Sequence, residues 1–311
     1  MEVFVIGLGY SARWTLDRLA PRLAHVRATV RRPEAAAALA AAGIEPIPLG
    51  TADTARRIEA AVTAADLVLV SAAPDAAGDP LLAAHADAIR CGLSRPDSPW
   101  IGYLSTVGVY GDHHGAWVDE ATECRPVSQR SIWRLAAERA WSALGAEFAA
   151  PVCHLRLAGI YGPGRNAFVN LATGSARRLV KPGQVFNRIH VADIAAAVDA
   201  AFAARFDGIV NVADDEPAPP QDVVAEAARL MAVAPPPEEP FDPATLTPMA
   251  RSFYGENKRV SNRLLRHRLG VELVAPSYRE GLARLWNDGT WAGDGRDQAE
   301  ASPRFRRNRS E

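Results

Sequence analysis

Apolar and polar positions along this chain switch repeatedly between two periods. Val3-Phe4-Val5-Ile6 is an unbroken apolar run, the pattern of a strand buried on both faces. Ser11 to Leu19 follows with apolar residues at helical spacing. The pairing then recurs. A strand at His25–Val30 precedes a helix from Pro33 to Ala42, with Pro near its start and Gly43 just past its end. Further strands at Ile44–Leu49 and Leu67–Val70 precede helices at Thr54–Ala64 and Pro80–Leu93, and a fifth strand lies at Ile101–Leu104. This alternation predicts right-handed crossovers and an α/β fold with a doubly wound parallel sheet. Ligands of such sheets sit beyond the carboxyl ends of the strands, so the residues just after each strand carry the functional information.

After the first strand stand Gly7 and Gly9, followed by Tyr10, Ser11 and Ala12 at the head of the helix. Strand, glycine turn and helix is the arrangement of a Rossmann dinucleotide fingerprint. Small residues let backbone N–H groups approach a diphosphate, and the helix N-terminus adds partial positive charge. Ala12 takes the third glycine position and still permits helix to pack on strand. The plainer alternative is a structural strand-to-helix turn. After the second strand stand Arg31 and Arg32 rather than the Asp or Glu of an NAD site. Arg31 at this place suits the 2′-phosphate of NADP, so NADP is favoured over NAD. A solvated basic turn is the alternative. After the fourth strand, Ser71, Ala72 and Ala73 leave room for a dinucleotide ribose.

Composition narrows the classes. The 311 residues are 48% hydrophobic with a formal net charge of −1, which argues against a disordered or nucleic-acid-coating protein. Cys91, Cys124 and Cys153 form no CxxC pair and nothing before them resembles a secretory signal, so a reducing, cytoplasmic location is expected. No apolar run is long enough to span a bilayer, and no metal-ligand spacing occurs.

From Leu104 onward the motifs resemble a known family. Leu104-Ser105-Thr106-Val107-Gly108-Val109-Tyr110-Gly111, the acidic turn Trp117-Val118-Asp119-Glu120, the segment Pro126–Glu138, and Leu155 to Arg165 resemble extended short-chain dehydrogenases/reductases of the NAD-dependent epimerase/dehydratase type. Phe186 to Ala195 and Val210 to Ala213 match further segments, so the likeness runs from about residue 1 to 287. The family's chemistry uses a Ser or Thr, a Tyr, and a Lys four residues after it. The resemblance places Thr106 on the first position, Arg130 on the Tyr and Arg134 on the Lys. Arginine has no acceptor and does not deprotonate, so Arg130 is no general base. Two cations here suit an anion, either a substrate group or the cofactor's phosphates; an idle, solvated helix face is the alternative. The chain thereby resembles the atypical branch that lacks the Tyr/Lys pair. Tyr254 and Lys258 share the Tyr-x-x-x-Lys spacing but read as a chance match. His113 and His114, in the loop after the fifth strand, are possible acid/base groups or simply solvated.

The expected organisation is a dinucleotide-binding domain of residues 1–165 with 188–213, a smaller C-terminal substrate-lid region of 166–187 with 214–287, and a disordered tail at 288–311. In the lid, Pro235–Pro248 reads as a connector, Asp214-Asp215-Glu216 as a turn capping a helix at Gln221–Met231, and Ser261–Leu269 and Tyr278–Trp286 as helices. Asp193 is expected to favour a helix N-terminus. The helix bearing Trp133 and Trp141 has apolar bulk to spare, and the resemblance implies a homodimer through it and Pro80–Leu93. The expectation is an oxidoreductase or epimerase-like enzyme on a small or sugar-like substrate, using NADP or NAD and neither nucleic acid nor membrane. A non-catalytic dinucleotide-binding sensor is the alternative.

Overall fold

The computed structural model describes residues 1–293. The first half runs β1 (Glu2–Ile6), α1 (Tyr10–Leu19), β2 (His25–Val30), α2 (Pro33–Ala41), β3 (Glu45–Pro48), α3 (Thr54–Ala64), β4 (Leu67–Val70), α4 (Pro80–Leu93) and β5 (Trp100–Thr106). It continues through β6 (Trp117–Val118), α5 (Gln129–Glu147), β7 (Val152–Leu157) and β8 (Gly159–Tyr161). The second half adds α6 (Ala167–Ala172), β9 (Arg178–Val180), β10 (Arg188–His190), α7 (Val191–Ala203) and β11 (Gly208–Val212). It closes with α8 (Pro220–Leu230), β12 (Glu238–Pro240), α9 (Pro248–Tyr254), β13 (Arg259–Val260) and α10 (Tyr278–Asn287).

Seven strands pair in parallel in the order β11-β7-β5-β4-β1-β2-β3. Strand order reverses between β1 and β4, so a crevice opens at their carboxyl ends, where Gly7 and Ser71 stand. Alternate residues of β1 feed two cores. Val3 and Val5 pack with Ala12, Leu16 and Leu19 of α1, whereas Phe4 and Ile6 pack with Ile58, Val62 and Ile89 of α3 and α4. Each of the buried Val, Leu, Ile and Phe side chains among them contributes roughly 1.5–3 kcal/mol.

The C-terminal region, 166–187 with 214–287, builds a third core from Phe168, Tyr278, Leu282 and Leu285, and a fourth from Leu179, Leu246 and Tyr254. Of three two-stranded pairs, β6 with β13 joins this region to the segment after β5, β9 with β12 lies within it, and β8 with β10 lies outside it.

Several expectations need correction. The stretch 235–248 holds β12 and a 3-10 turn at Pro243–Thr245, and α9 begins at Pro248. Within 261–269 the chain makes a π-turn at Leu264–Arg268, with Leu269 N–H reaching Leu264 O at 3.2 Å, rather than an α-helix. The wider turn buries Leu265 completely and leaves Arg266 and the next two basic residues largely outside the core. Residues 288–293 are not loose. Trp291 stacks on Trp286 at 6.3 Å and meets Phe168 edge-on, because a large apolar ring near the chain's end finds core to cover. The rest of the expected tail, with Arg304, Arg306, Arg307 and Arg309, lies outside the described residues. Trp141 is wholly buried, its indole N–H donating to Asp79, so it packs inward rather than toward a second subunit.

Candidate active site

The two glycines of the first turn do different work. Gly7 has φ +84°, and a Cβ there would stand 2.9 Å from the backbone N of Ala72. Only glycine lets β1 and the end of β4 approach so closely. Gly9 is the N-cap of α1 in extended conformation, provides no capping side chain, and has nothing within 4 Å of where a Cβ would sit. The first N–H groups of a helix lack partners within it. Open space over Gly9 and an uncapped helix head make a cradle that fits a diphosphate. Ala12 is fully buried on the inner face of α1, Ser11 lines the cleft, and the Tyr10 hydroxyl donates to Pro163 O at 3.0 Å. Ser71 and Ala72 N–H both donate to Ile6 O, which keeps β4's exit beside the turn. Arg31 is exposed beyond β2 and lies outside the cleft lining.

A cleft of about 1060 Å³ runs from Ser11 and Ser71 past β5 and β7 to the C-terminal region. Thr106, Arg130 and Arg134 all line it. The Thr106 Oγ1 accepts from Gly108 N–H at 3.1 Å, starting the turn after β5. The two arginines stand one helical turn apart on α5 yet differ in setting. Arg130 is exposed, 5.7 Å above the ring of Phe253 on α9. Arg134 is tucked in: its Nη1 donates to Leu104 O at 3.0 Å, to the Tyr103 hydroxyl at 3.3 Å and to Ala72 O at 3.4 Å. A fixed guanidinium thus bridges the ends of β4, which flanks the crevice, and of its neighbour β5. Burial pushes the Tyr103 phenol up to about 12, so it stays protonated beside this cation.

Behind the site, Glu138 of α5 and Arg156 of β7 form an ion pair at 2.8 Å with both side chains nearly fully buried. Ser105 Oγ donates to the same carboxylate, and Arg156 lies 4.8 Å over the ring of Tyr110. The Tyr110 hydroxyl in turn donates to Asn211 Oδ1 at 2.7 Å, so Tyr110 is structural. This network locks α5 against β5 and fixes where Thr106 and Arg134 point.

Some cleft residues escaped the sequence reading. Ser131 lines the cleft beside Thr106 and accepts from Ser128 Oγ at 2.8 Å. Arg188, at the start of β10, lines the lid end. No local pattern marks either residue; the signal is tertiary. Tyr254 and Lys258, read as a chance pair, both line the cleft from the C-terminal region. They do not form the family pair, since Lys258 Nζ is committed to Gly111 O at 2.8 Å and Glu256 at 2.6 Å. Tyr254 packs between Phe186 and Phe241, and burial raises its phenol.

Other candidates are not brought in. His113 bonds to Tyr110 O at 3.1 Å and His114 is almost wholly exposed; neither lines the cleft. Asp193 does not serve its helix: it is fully buried and accepts from Val274 and Ala275 N–H, pinning a distant loop. Asp214 does not cap α8, whose N-cap is Pro219. It accepts from Glu216 N–H, and burial raises its carboxyl to about 8. Among the described residues no cluster of His, Cys, Asp or Glu is placed to hold a metal, and no helix is long and apolar enough to cross a membrane.

Comparison with known proteins agrees with this geometry. The model of the NAD dependent epimerase/dehydratase family matches residues 3–213. A functionally unknown conserved protein from Silicibacter pomeroyi is 46% identical, with TM-score 0.80 over 93% of this chain and 99% of that one. Two distant structures share the fold. Human epimerase family protein SDR39U1 (isoform 2) with NADPH is 17% identical, with TM-score 0.71 over 93% of this chain and 100% of that one. UDP-glucuronic acid 4-epimerase from Bacillus cereus in complex with NAD is 14% identical, with TM-score 0.71 over 92% and 98%. No protein of curated function matches the sequence.

Proposed function

The chain belongs to the NAD dependent epimerase/dehydratase family, and from that premise we propose that it binds NADP in preference to NAD and acts as an oxidoreductase or epimerase-like enzyme on a small or sugar-like substrate. The observation that supports this best is one continuous cleft that runs from Ser11 and Ser71, the residues beside the glycine turn, past Thr106 to the C-terminal region. Gly7, Gly9, Tyr10, Ser11 and Ala12 would hold the diphosphate, and Ser71, Ala72 and Ala73 the ribose. Arg31 would take the 2′-phosphate with paired charge-assisted bonds. Bound there, the nicotinamide supplies two-electron redox chemistry. The chain's own part is to place the substrate oxygen at Thr106 and to steady the cofactor with Arg134. Neither arginine moves a proton, so the acid/base group differs from the family's usual Tyr. Three unpaired cysteines support a cytoplasmic setting, and the expected homodimer through α4 and α5 belongs to this reading.

A second reading is a dinucleotide-binding sensor without turnover, supported by the resemblance, which aligns Arg130 and Arg134 with the family's Tyr and Lys. Calorimetric titration with NADPH and NADH tests the shared premise. Heat from NADPH exceeding that from NADH, with the gap closed in Arg31→Ala, is expected; silence from both overturns it. NADPH oxidation against a panel of carbonyl compounds and sugar nucleotides, lost in Thr106→Ala, separates enzyme from sensor.

A further inference from the structure

Two of the basic side chains that line the cleft pair directly with carboxylates. Arg177 is paired with Glu239 at 2.5 Å and Lys258 with Glu256 at 2.6 Å. Arg188 is different. It is partly buried at the lid end, and its Nη1 is spent on the backbone carbonyls of Phe186 and Ala218, at 3.0 Å each. Among the described residues no carboxylate forms an ion pair with it. Its guanidinium lies 5.9 Å from the ring centre of Tyr278, and Pro220, Val223 and Leu282 line the same recess.

A partly desolvated cation without a counter-ion is costly, and the cost falls when an anion arrives. The acidic neighbour Asp214 does not meet that need. No hydrogen bond or ion pair joins its carboxyl to the Arg188 guanidinium; its Oδ1 accepts from Glu216 N–H, and burial raises it against the pull of Arg188. The two carbonyl bonds anchor one nitrogen of the fork and orient the rest, so the unused N–H groups are preorganised for a planar or tetrahedral oxyanion.

We propose that Arg188 recognises a terminal oxyanion group of the substrate, a phosphate or a carboxylate, attached to a body that the apolar recess beside it can cover. This deepens the proposed function and rests on the reading that the cleft takes a dinucleotide at one end and a substrate at the other. Arg188 is then a specificity residue, remote from the redox centre, that selects anionic over neutral substrates.

The test uses the full chain saturated with NADPH, so that phosphate probes cannot occupy the diphosphate cradle. Phenyl phosphate, benzoate and benzyl alcohol are titrated by calorimetry. At least one anionic probe is expected to bind and the neutral alcohol not; the stronger of phenyl phosphate and benzoate identifies the oxyanion. Arg188→Gln should weaken that probe by about tenfold or more while leaving NADPH affinity within about twofold, the precision at which distant sites behave independently. Equal binding of the alcohol, or an unchanged probe affinity in Arg188→Gln, overturns the proposal. If that variant does not fold, phenylglyoxal labelling of the native chain decides. Arg188 should be modified, and phenyl phosphate should protect it; modification without protection overturns the assignment. Failure of NADPH to bind at all would instead remove the proposed function, and the difference in probe affinity between the unloaded parent and Arg188→Gln would then report on Arg188.

Discussion

Two glycines two residues apart should respond to the same substitution in opposite ways. Gly7→Ala puts a methyl 2.9 Å from the Ala72 backbone on a residue at φ +84°. The left-handed conformation costs about 1–2 kcal/mol for an L-residue, and the overlap with backbone about 1–3 kcal/mol more. A loss of about 2–5 kcal/mol lowers the melting temperature by something on the order of 10 °C in a chain of this size. Gly9→Ala meets no neighbour within 4 Å and keeps an ordinary extended backbone. Its only folding cost is a weaker N-cap, under about 1 kcal/mol. The methyl instead fills the space a diphosphate would take. Losing even one backbone N–H to phosphate bond, worth about 1.5–3 kcal/mol, weakens NADPH by roughly tenfold to hundredfold. Thermal melts and NADPH titrations of both variants give four numbers. A Gly9→Ala protein that binds NADPH as tightly as the parent refutes the placement of the diphosphate. A Gly7→Ala protein that melts with the parent refutes the account of the turn.

Glu138→Gln leaves Arg156 buried without its partner and should cost about 3–5 kcal/mol in urea unfolding; a change below about 1 kcal/mol would mean that the network does not hold α5. Burial lowers His190 to about 4 from 6.5. Between those values the unfolded chain takes up a proton that the folded one refuses, so stability present above pH 6.5 is lost as pH falls toward 4. The loss is about 3 kcal/mol from this residue. His190→Asn keeps a capping acceptor and should flatten that acid limb; a parallel curve would contradict the assignment. Asp214 works in the other direction, raised from 3.8 to about 8. The folded state keeps a proton that the unfolded state releases, so stability fades as pH rises through that window. Asp214→Asn should therefore be the more stable protein at pH 8, with the advantage shrinking by pH 5; an equal margin at both would be the wrong result.

The sheet was legible because its information is local. The runs Val3–Ile6 and Leu67–Val70 are apolar enough to be central strands whatever surrounds them, and β2, α3, β4 and α4 stand at their expected bounds. The turn after β1 was legible for the same reason, since a glycine's freedom is written in its own position. The lid resisted reading because its order comes from distant partners. Nothing near Trp291 announces that Phe168 lies beneath it. Asp193 sits where a helix start would use it, yet two N–H groups some eighty positions later claim both its oxygens. Arg188 gains meaning only once α8 and α10 fold over it. Two-residue strands such as β6 and β13 carry no period at all.

The loop after β8 has an unexpected set of tenants. Pro163 O receives the hydroxyl of Tyr10, the residue that follows Gly9, while Gly164 N–H and the Asn166 side chain both reach Trp291 O. The opening turn of the polypeptide and its last described residues thus lean on opposite sides of one strut. Trimming the chain at Asn287 would slacken that strut and be felt where the diphosphate is held, although the cut falls some 280 positions away in sequence.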